Sequence, residues 1–367
     1  MHRSLSLAAT GAGLAAAVAL ACSGTSDPTT DSPSAALAAA TLSTPTITPQ
    51  HSGTSNRLQA VSPVNANVVW ASGVGGTFAV TTNGGRTWRS GVVSGASDLQ
   101  FRDVEGVSAD VAYLLAAGPG EASRIYKTVN GGRTWQLQFK NEKEKGFYDC
   151  FAFWSPDRGI TMADAINGRF PVVRTRNGDD WVNISGRMPA AQPGEAAFAA
   201  SGTCVATFGQ ERAWIVTGGA EKARVLRTTD GGDSWRAFQT PLPQGTGGSG
   251  VFTVEFRDAL HGIIAGGDLD RPFAHTENVA ISNDGGRTWQ LVDGTPFGGA
   301  AFGLSYIHGT SARGVVITGP NGAAWSDDEG HSWHRLAGVR DFWAVAFASH
   351  KAGWLVGTEG RILKVSF

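Results

Sequence analysis

One short motif recurs along the chain and restricts the possible folds more than any other feature. Its form is Ser/Thr-x-Asp/Asn-x-Gly-x-x-Trp. Copies run over 81–88 (TTNGGRTW), 128–135 (TVNGGRTW), 228–235 (TTDGGDSW), 282–289 (SNDGGRTW) and 326–333 (SDDEGHSW), with a copy one residue short at 175–181 (TRNGDDW). The closing tryptophans stand at 88, 135, 181, 235, 289 and 333, so the steps are 47, 46, 54, 54 and 44 residues. A near-constant period of this length marks an array of like units rather than one irregular domain. The residue types explain themselves as turn chemistry. Asn83, Asn130, Asp230, Asp284 and Asp328 can accept hydrogen bonds from backbone N–H groups a few residues on. Glycine supplies the positive φ such a turn needs, and Trp88, Trp135, Trp235, Trp289 and Trp333 each cover it with an apolar plate. The motif therefore reads as a hairpin staple with a structural role.

Between the boxes the chain reads as short strands. Apolar first strands are expected at 58–62, 99–104, 149–154, 203–208, 252–256, 302–307 and 342–348. Second strands end in glycine or a polar loop, for example 68–73, 214–218, 262–266 and 353–357, and third strands lead into each box. The box Trp opens a fourth. Four strands per repeat of about 45 residues match a β-propeller blade. The expected fold class is all-β: a seven-bladed β-propeller with four-stranded blades and box turns between third and fourth strands. The seventh unit supplies only three strands before the chain stops at Phe367. An open ring would leave an unpaired edge, so the N-terminal segment 41–50 is expected to close the last blade by pairing with 361–366.

The first 42 residues differ in kind. His2 and Arg3 precede an apolar run from Leu5 to Ala21, which reads as a signal peptide over 1–21. Cys22 follows Ala19-Leu20-Ala21, a lipoprotein-like box, and residues 22–42 read as a Ser/Thr/Pro-rich tether. Acylation of Cys22 would place a propeller domain at 43–367 in the cell envelope, on the periplasmic or outer-surface side. Thirty basic against 31 acidic residues leave a net charge of −1, which excludes a polybasic nucleic-acid or membrane surface. The lipid anchor is then the expected membrane contact.

Little in the sequence supports chemistry. Gly245 to Gly250 matches GxGxxG but runs into a strand at Val251, not a helix, so a dinucleotide site is rejected. Neither GxSxG nor a P-loop occurs. Neither CxxC nor HExxH occurs, so no metal or other cofactor is expected. Cys150 and Cys204 occupy equivalent places in neighbouring first strands, and an exported compartment permits a disulfide between them. Asp149, Asp164, Glu195 and Asp268 fall on one face and form the candidate carboxylate site of a glycosidase. Arg124, Arg224 and Arg361 precede third strands at one register, with Arg169 close to it and Arg271 in a longer loop, giving a candidate partner-binding rim.

Across the exported body, the repeated TNGGRTW, TDGGDSW and NDGGRTW boxes and the seven-unit layout resemble the BNR (bacterial neuraminidase-repeat) or Asp-box propellers related to the photosystem II assembly and stability factor. The stretches 147–160 (FYDCFAFWSPDRGI) and 195–205 (EAAFAASGTCV) look like its bacterial branch outside photosynthesis. The resemblance implies a monomeric, non-enzymatic scaffold that binds a protein partner or a membrane-protein assembly intermediate, partly through an arginine patch. The five rim arginines stand for that patch. The alternative is a carbohydrate-active propeller, sialidase-like, glycosidase-like or lectin-like, with a glycan as ligand.

Overall fold

The computed structural model describes residues 42–309 and 313–367. The expected leader, Cys22 and the tether up to residue 41 lie outside the described residues. Among the described residues no helix is long and apolar enough to cross a membrane. The helical content of the described residues is three single 3-10 turns, Gly120–Ala122, Ser185–Arg187 and Thr358–Gly360.

Seven antiparallel sheets of four strands each make the fold, a seven-bladed propeller. The first strands of the sheets are Leu58–Pro63, Phe101–Gly106, Tyr148–Ser155, Val205–Phe208, Ser249–Phe256, Gly303–Tyr306 and Phe342–Ser349. Each touches the first strand of the next sheet, and the seventh touches the first, so these strands form a closed inner ring. Second and third strands are almost wholly buried between blades, whereas the outer strands, such as Arg89–Val92 and Trp181–Asn183, are largely exposed. That gradient is why the first three strands read as apolar runs and the fourth does not.

The seventh sheet is completed by the N-terminal strand Thr46–His51. It pairs with Arg361–Ser366 over six consecutive positions, from Thr46 opposite Ser366 to His51 opposite Arg361. Gln50 then ties this strand into the first blade. Its Oε1 accepts from Trp88 Nε1 at 3.0 Å and Trp354 Nε1 at 3.2 Å, and its Nε2 donates to the Gly84 carbonyl at 3.2 Å. Leu42, expected in the tether, is buried with Leu336, Val345 and Val365.

Aromatic donors on the second strands stitch neighbouring blades. Trp70 Nε1 donates to the Ser108 carbonyl at 2.8 Å, the Tyr113 hydroxyl to that of Pro156 at 3.0 Å, and Trp214 Nε1 to that of Gly285 at 2.8 Å. Each bond leaves one blade and ends in the next. A buried indole or phenol needs such a partner, and here the partner is a turn carbonyl that the neighbouring sheet leaves free.

The recurring turn between third and fourth strands is closed by its own side chains. In the fifth blade Asp284 Oδ1 accepts from the Arg287 and Thr288 amides at 2.9 and 3.0 Å, and its Oδ2 accepts from the Thr288 hydroxyl at 2.7 Å. Ser282 Oγ accepts from the Gly286 amide at 2.8 Å. Burial alone would raise the Asp284 carboxyl, but the hydrogen bonds from Thr288, Ser282 and Arg287 outweigh it and hold it below the ordinary value. Truncation by Asp284→Ala leaves those donors to water and is expected to cost about 2 kcal/mol. A urea titration should show a lower midpoint with an unchanged slope.

The sixth blade departs from the pattern. Where four of the boxes place Gly84, Gly131, Gly231 or Gly285 with φ between 68° and 78°, this blade places Glu329 at φ 59°. A non-glycine residue in that region is strained by about 1 kcal/mol. The side chain supplies the compensation. Glu329 Oε1 accepts from Arg257 Nε at 2.7 Å and the Tyr306 hydroxyl at 3.0 Å, bracing the fifth blade against the sixth.

Candidate binding site at the axial mouth

In five of the sheets the pairing of first and second strand skips one residue near the start of the first strand. The skipped residues are Gln59, Arg102, Asp149, Phe252 and Trp343. A β-bulge leaves its extra residue unpaired and re-aims the side chain. Because the bulges recur at one level of the inner ring, they bring these residues together at one end of the axis. Phe302 immediately precedes the paired stretch of the sixth sheet and takes the corresponding place. Four of the five bulge residues, all except Asp149, join Phe302, Arg57 and Phe198 in lining a cavity of about 170 Å³.

The cavity has two unlike halves. One is an aromatic arc. The rings of Phe198 and Phe252 lie 4.1 Å apart, Phe252 and Phe302 6.1 Å, and Phe302 meets Trp343 edge-on at 5.7 Å. The other half is polar. The Arg57 guanidinium lies 4.8 Å over the Trp343 ring. Arg102 donates to Gln100 Oε1 through Nη2 at 2.9 Å and to the Ala199 carbonyl through Nη1 at 3.3 Å. Burial lowers the Arg102 pKa, and the like charge of Arg57 lowers it further, against the pull of Asp149. Gln59 is only 2% exposed, yet neither its Oε1 nor Arg57 Nε has a hydrogen-bond partner among the described residues.

The four candidate carboxylates do not form one site. Asp149 and Asp164 interact directly. Burial pushes the Asp149 carboxyl well up, the neighbouring Asp164 pushes it further, and Arg102 only partly offsets this. Burial raises Asp164 to about 6, against the Ala197 amide, which donates to its Oδ1 at 3.0 Å. Glu195 is instead clamped by Arg224, whose Nε donates to its Oε1 at 2.8 Å and whose Nη2 reaches its Oε2. Asp268 accepts from Arg271 Nε at 3.0 Å. The sequence treats acids and arginines as two separate groups; the fold neutralises one against the other in these two blades.

The remaining rim arginines are engaged differently. Arg124 donates to the Glu121 carbonyl at 2.6 Å and to the Tyr126 hydroxyl at 3.3 Å. Arg361 donates to Thr358 Oγ1 at 2.6 Å, stands 3.7 Å from Asp341 and covers the Phe342 ring. Arg169 is exposed. Arg57 and Arg102, which no register pattern singles out, are the two that face the cavity. Cys150 and Cys204 are joined as a disulfide with Cα atoms 5.8 Å apart, which ties the third and fourth inner strands together beside this end of the ring.

Two further acids stand at matching places on the inner ring, Glu105 opposite Tyr113 and Glu255 opposite Ile263. Burial raises Glu105 from 4.5 to about 7. It raises Glu255 from 4.5 to about 8, although the Tyr306 amide and Ser305 pull the other way. A carboxyl whose folded value lies above its unfolded value favours the folded state most below the unfolded value, near pH 4.5, and loses that contribution as pH rises through 7 to 8. The Glu105→Gln, Glu255→Gln double variant is therefore expected to melt roughly 5 °C above the wild type at pH 9. At pH 5 the two curves should nearly coincide.

No protein-family model matches the chain, and no curated protein matches its sequence. Among solved structures, YCF48 bound to a D1 peptide superposes with a TM-score of 0.60 at 16% identity, over 90% of this chain and 99% of that one. YCF48 from Cyanidioschyzon merolae gives 0.58 at 16% identity, over 87% and 98%. The WD40 β-propeller domain of Doa1 gives 0.56 at 13% identity, over 88% and 97%. These similarities concern the propeller fold.

Proposed function

We propose that this chain is a propeller scaffold that binds a protein segment at the axial mouth, in the manner of a photosystem II assembly factor acting on a membrane-protein intermediate. The observation that carries the reading is the mouth itself, where an aromatic arc faces two closely spaced guanidiniums. Aromatic and arginine side chains are the types that dominate binding energy at protein interfaces. The similar propeller YCF48, which holds a D1 peptide, supports a peptide as the class of partner. The Cys150–Cys204 disulfide supports an oxidising, exported setting. In this proposal Cys22 carries the lipid that holds the propeller at the membrane. Mass spectrometry of the mature N-terminus should find acyl chains there, and a free amine at residue 22 would remove the anchor.

The partner reading is tested by cross-linking in membranes followed by capture of the tagged chain. A specific partner recovered by the wild type should be lost with the double variant Arg57→Glu, Arg102→Glu. Equal recovery by both chains would reject the mouth as the interface.

A carbohydrate-active reading has one observation in its favour, the Asp149–Asp164 pair, two interacting carboxyls that burial holds above the ordinary carboxylate range. A glycan array and a hydrolysis screen address it. Binding or turnover abolished by Asp149→Asn would favour it over the scaffold.

A further inference from the structure

We infer that the axial mouth is a carboxylate pocket, built for a single carboxylate carried on a flat apolar body. This deepens the proposed binding role by naming the chemistry the mouth recognises, and it rests on that role only for the place of binding.

Burial disfavours the charge on Arg102, and the nearby Arg57 guanidinium disfavours it further. The acid beside them, Asp149, is itself held toward its neutral form by burial and by Asp164. Among the described residues neither guanidinium makes an ion pair, and the acceptors of Arg102 are a carboxamide and a backbone carbonyl, an arrangement that a bound carboxylate relieves. Guanidinium forks match carboxylate geometry. Hydrogen-bonding capacity points the same way. Among the described residues Arg57 Nε is a buried donor with no acceptor, and the Gln59 carboxamide, 2% exposed, is a buried group whose Oε1 has no donor. Unmade hydrogen bonds of this kind are costly in a folded protein. A carboxylate would accept from Arg57, and a hydroxyl or N–H on the ligand would satisfy Gln59. Size and shape set the remainder. The cavity is about 170 Å³, and a void of roughly 150 Å³ takes a benzene ring. Phe252, Phe302 and Trp343 form its apolar wall, so a flat ring or a branched apolar group fits beside the guanidiniums.

Two sources share this chemistry: a free small acid and the carboxyl-bearing end of a peptide. Binding of 4-fluorobenzoate and of N-acetylphenylalanine to the purified chain is measured by fluorine and proton ligand-observed NMR, beside their neutral amides 4-fluorobenzamide and N-acetylphenylalaninamide. At least one acid is expected to bind with a Kd of about 1 mM or tighter, a fair value for a ligand of this size. Its amide should bind at least about tenfold more weakly. Binding of 4-fluorobenzoate alone identifies a free acid as the ligand; binding of N-acetylphenylalanine, with or without it, identifies a peptide end. Arg57→Gln should abolish the preference for acid over amide while leaving the melting temperature within a few degrees. Equal affinity for acid and amide, or no binding by either acid, overturns the inference, and the comparison needs no variant to fold. Acid binding that survives while Trp343→Ala leaves partner capture intact would keep the pocket and discard the protein-binding role.

Discussion

A chain beginning at Ser52 is expected to melt about 10–20 °C below the full chain, or to aggregate on expression. The truncation removes the strand Thr46–His51 and with it six paired positions against Arg361–Ser366. At about 1 kcal/mol per backbone hydrogen bond, the loss is of order 5 kcal/mol. Two further costs follow. The indoles of Trp88 and Trp354 lose the Gln50 oxygen that both donate to, and the strand Arg361–Ser366 becomes an open edge available to another chain. Gln50→Leu separates these effects. It keeps the strand and removes only the shared acceptor, and should lower the melting temperature by a few degrees. Differential scanning calorimetry reads both, and an unchanged transition in the truncated chain would mean that the ring does not depend on this strand.

The second large effect concerns the Cys150–Cys204 disulfide. Its two ends are 54 residues apart, and the chain-entropy relation for a loop of that length gives about 4 kcal/mol of stabilisation. The double variant Cys150→Ser, Cys204→Ser, or full reduction of the wild type, should therefore melt about 10 °C lower. Both thiols are deeply buried, Cys150 in the third inner strand and Cys204 immediately before the fourth, so the reduced state is expected to resist alkylation until it unfolds. A melting temperature that does not move on reduction would show that packing alone holds the third and fourth blades together at this point.

The blade count and the closure of the ring were readable in advance because their causes are local or arithmetical. The carboxylate hydrogen bonds of Asp284 and of its counterparts Asp230 and Asp328 reach no further than four residues along the chain. The missing strand of the last unit followed from counting to the end of the sequence. The axial mouth was not readable in the same way. A bulge is a property of two paired strands, and nothing in the run Phe101-Arg102-Asp103 announces that Arg102 is the residue left out of register. Aligning the seven first strands on their second-strand partners would have placed Gln59, Arg102, Asp149, Phe252 and Trp343 in one column, and only Asp149 was singled out from sequence. The pairing of Glu195 with Arg224, 29 residues away, was equally hidden. Each residue fitted its own pattern, and only the fold showed that the two charges cancel.

The joining of the N-terminal strand to the C-terminal one has a consequence for biogenesis. Residue 46 leaves the ribosome more than 300 residues before its partner Ser366. Six blades can assemble as they emerge, but the seventh cannot, and until Arg361–Ser366 is made the strand Thr46–His51 has no place to dock. A product cut short before Arg361 would leave the strand Thr46–His51 without its partner and the seventh sheet incomplete, with open edges free to pair with another chain.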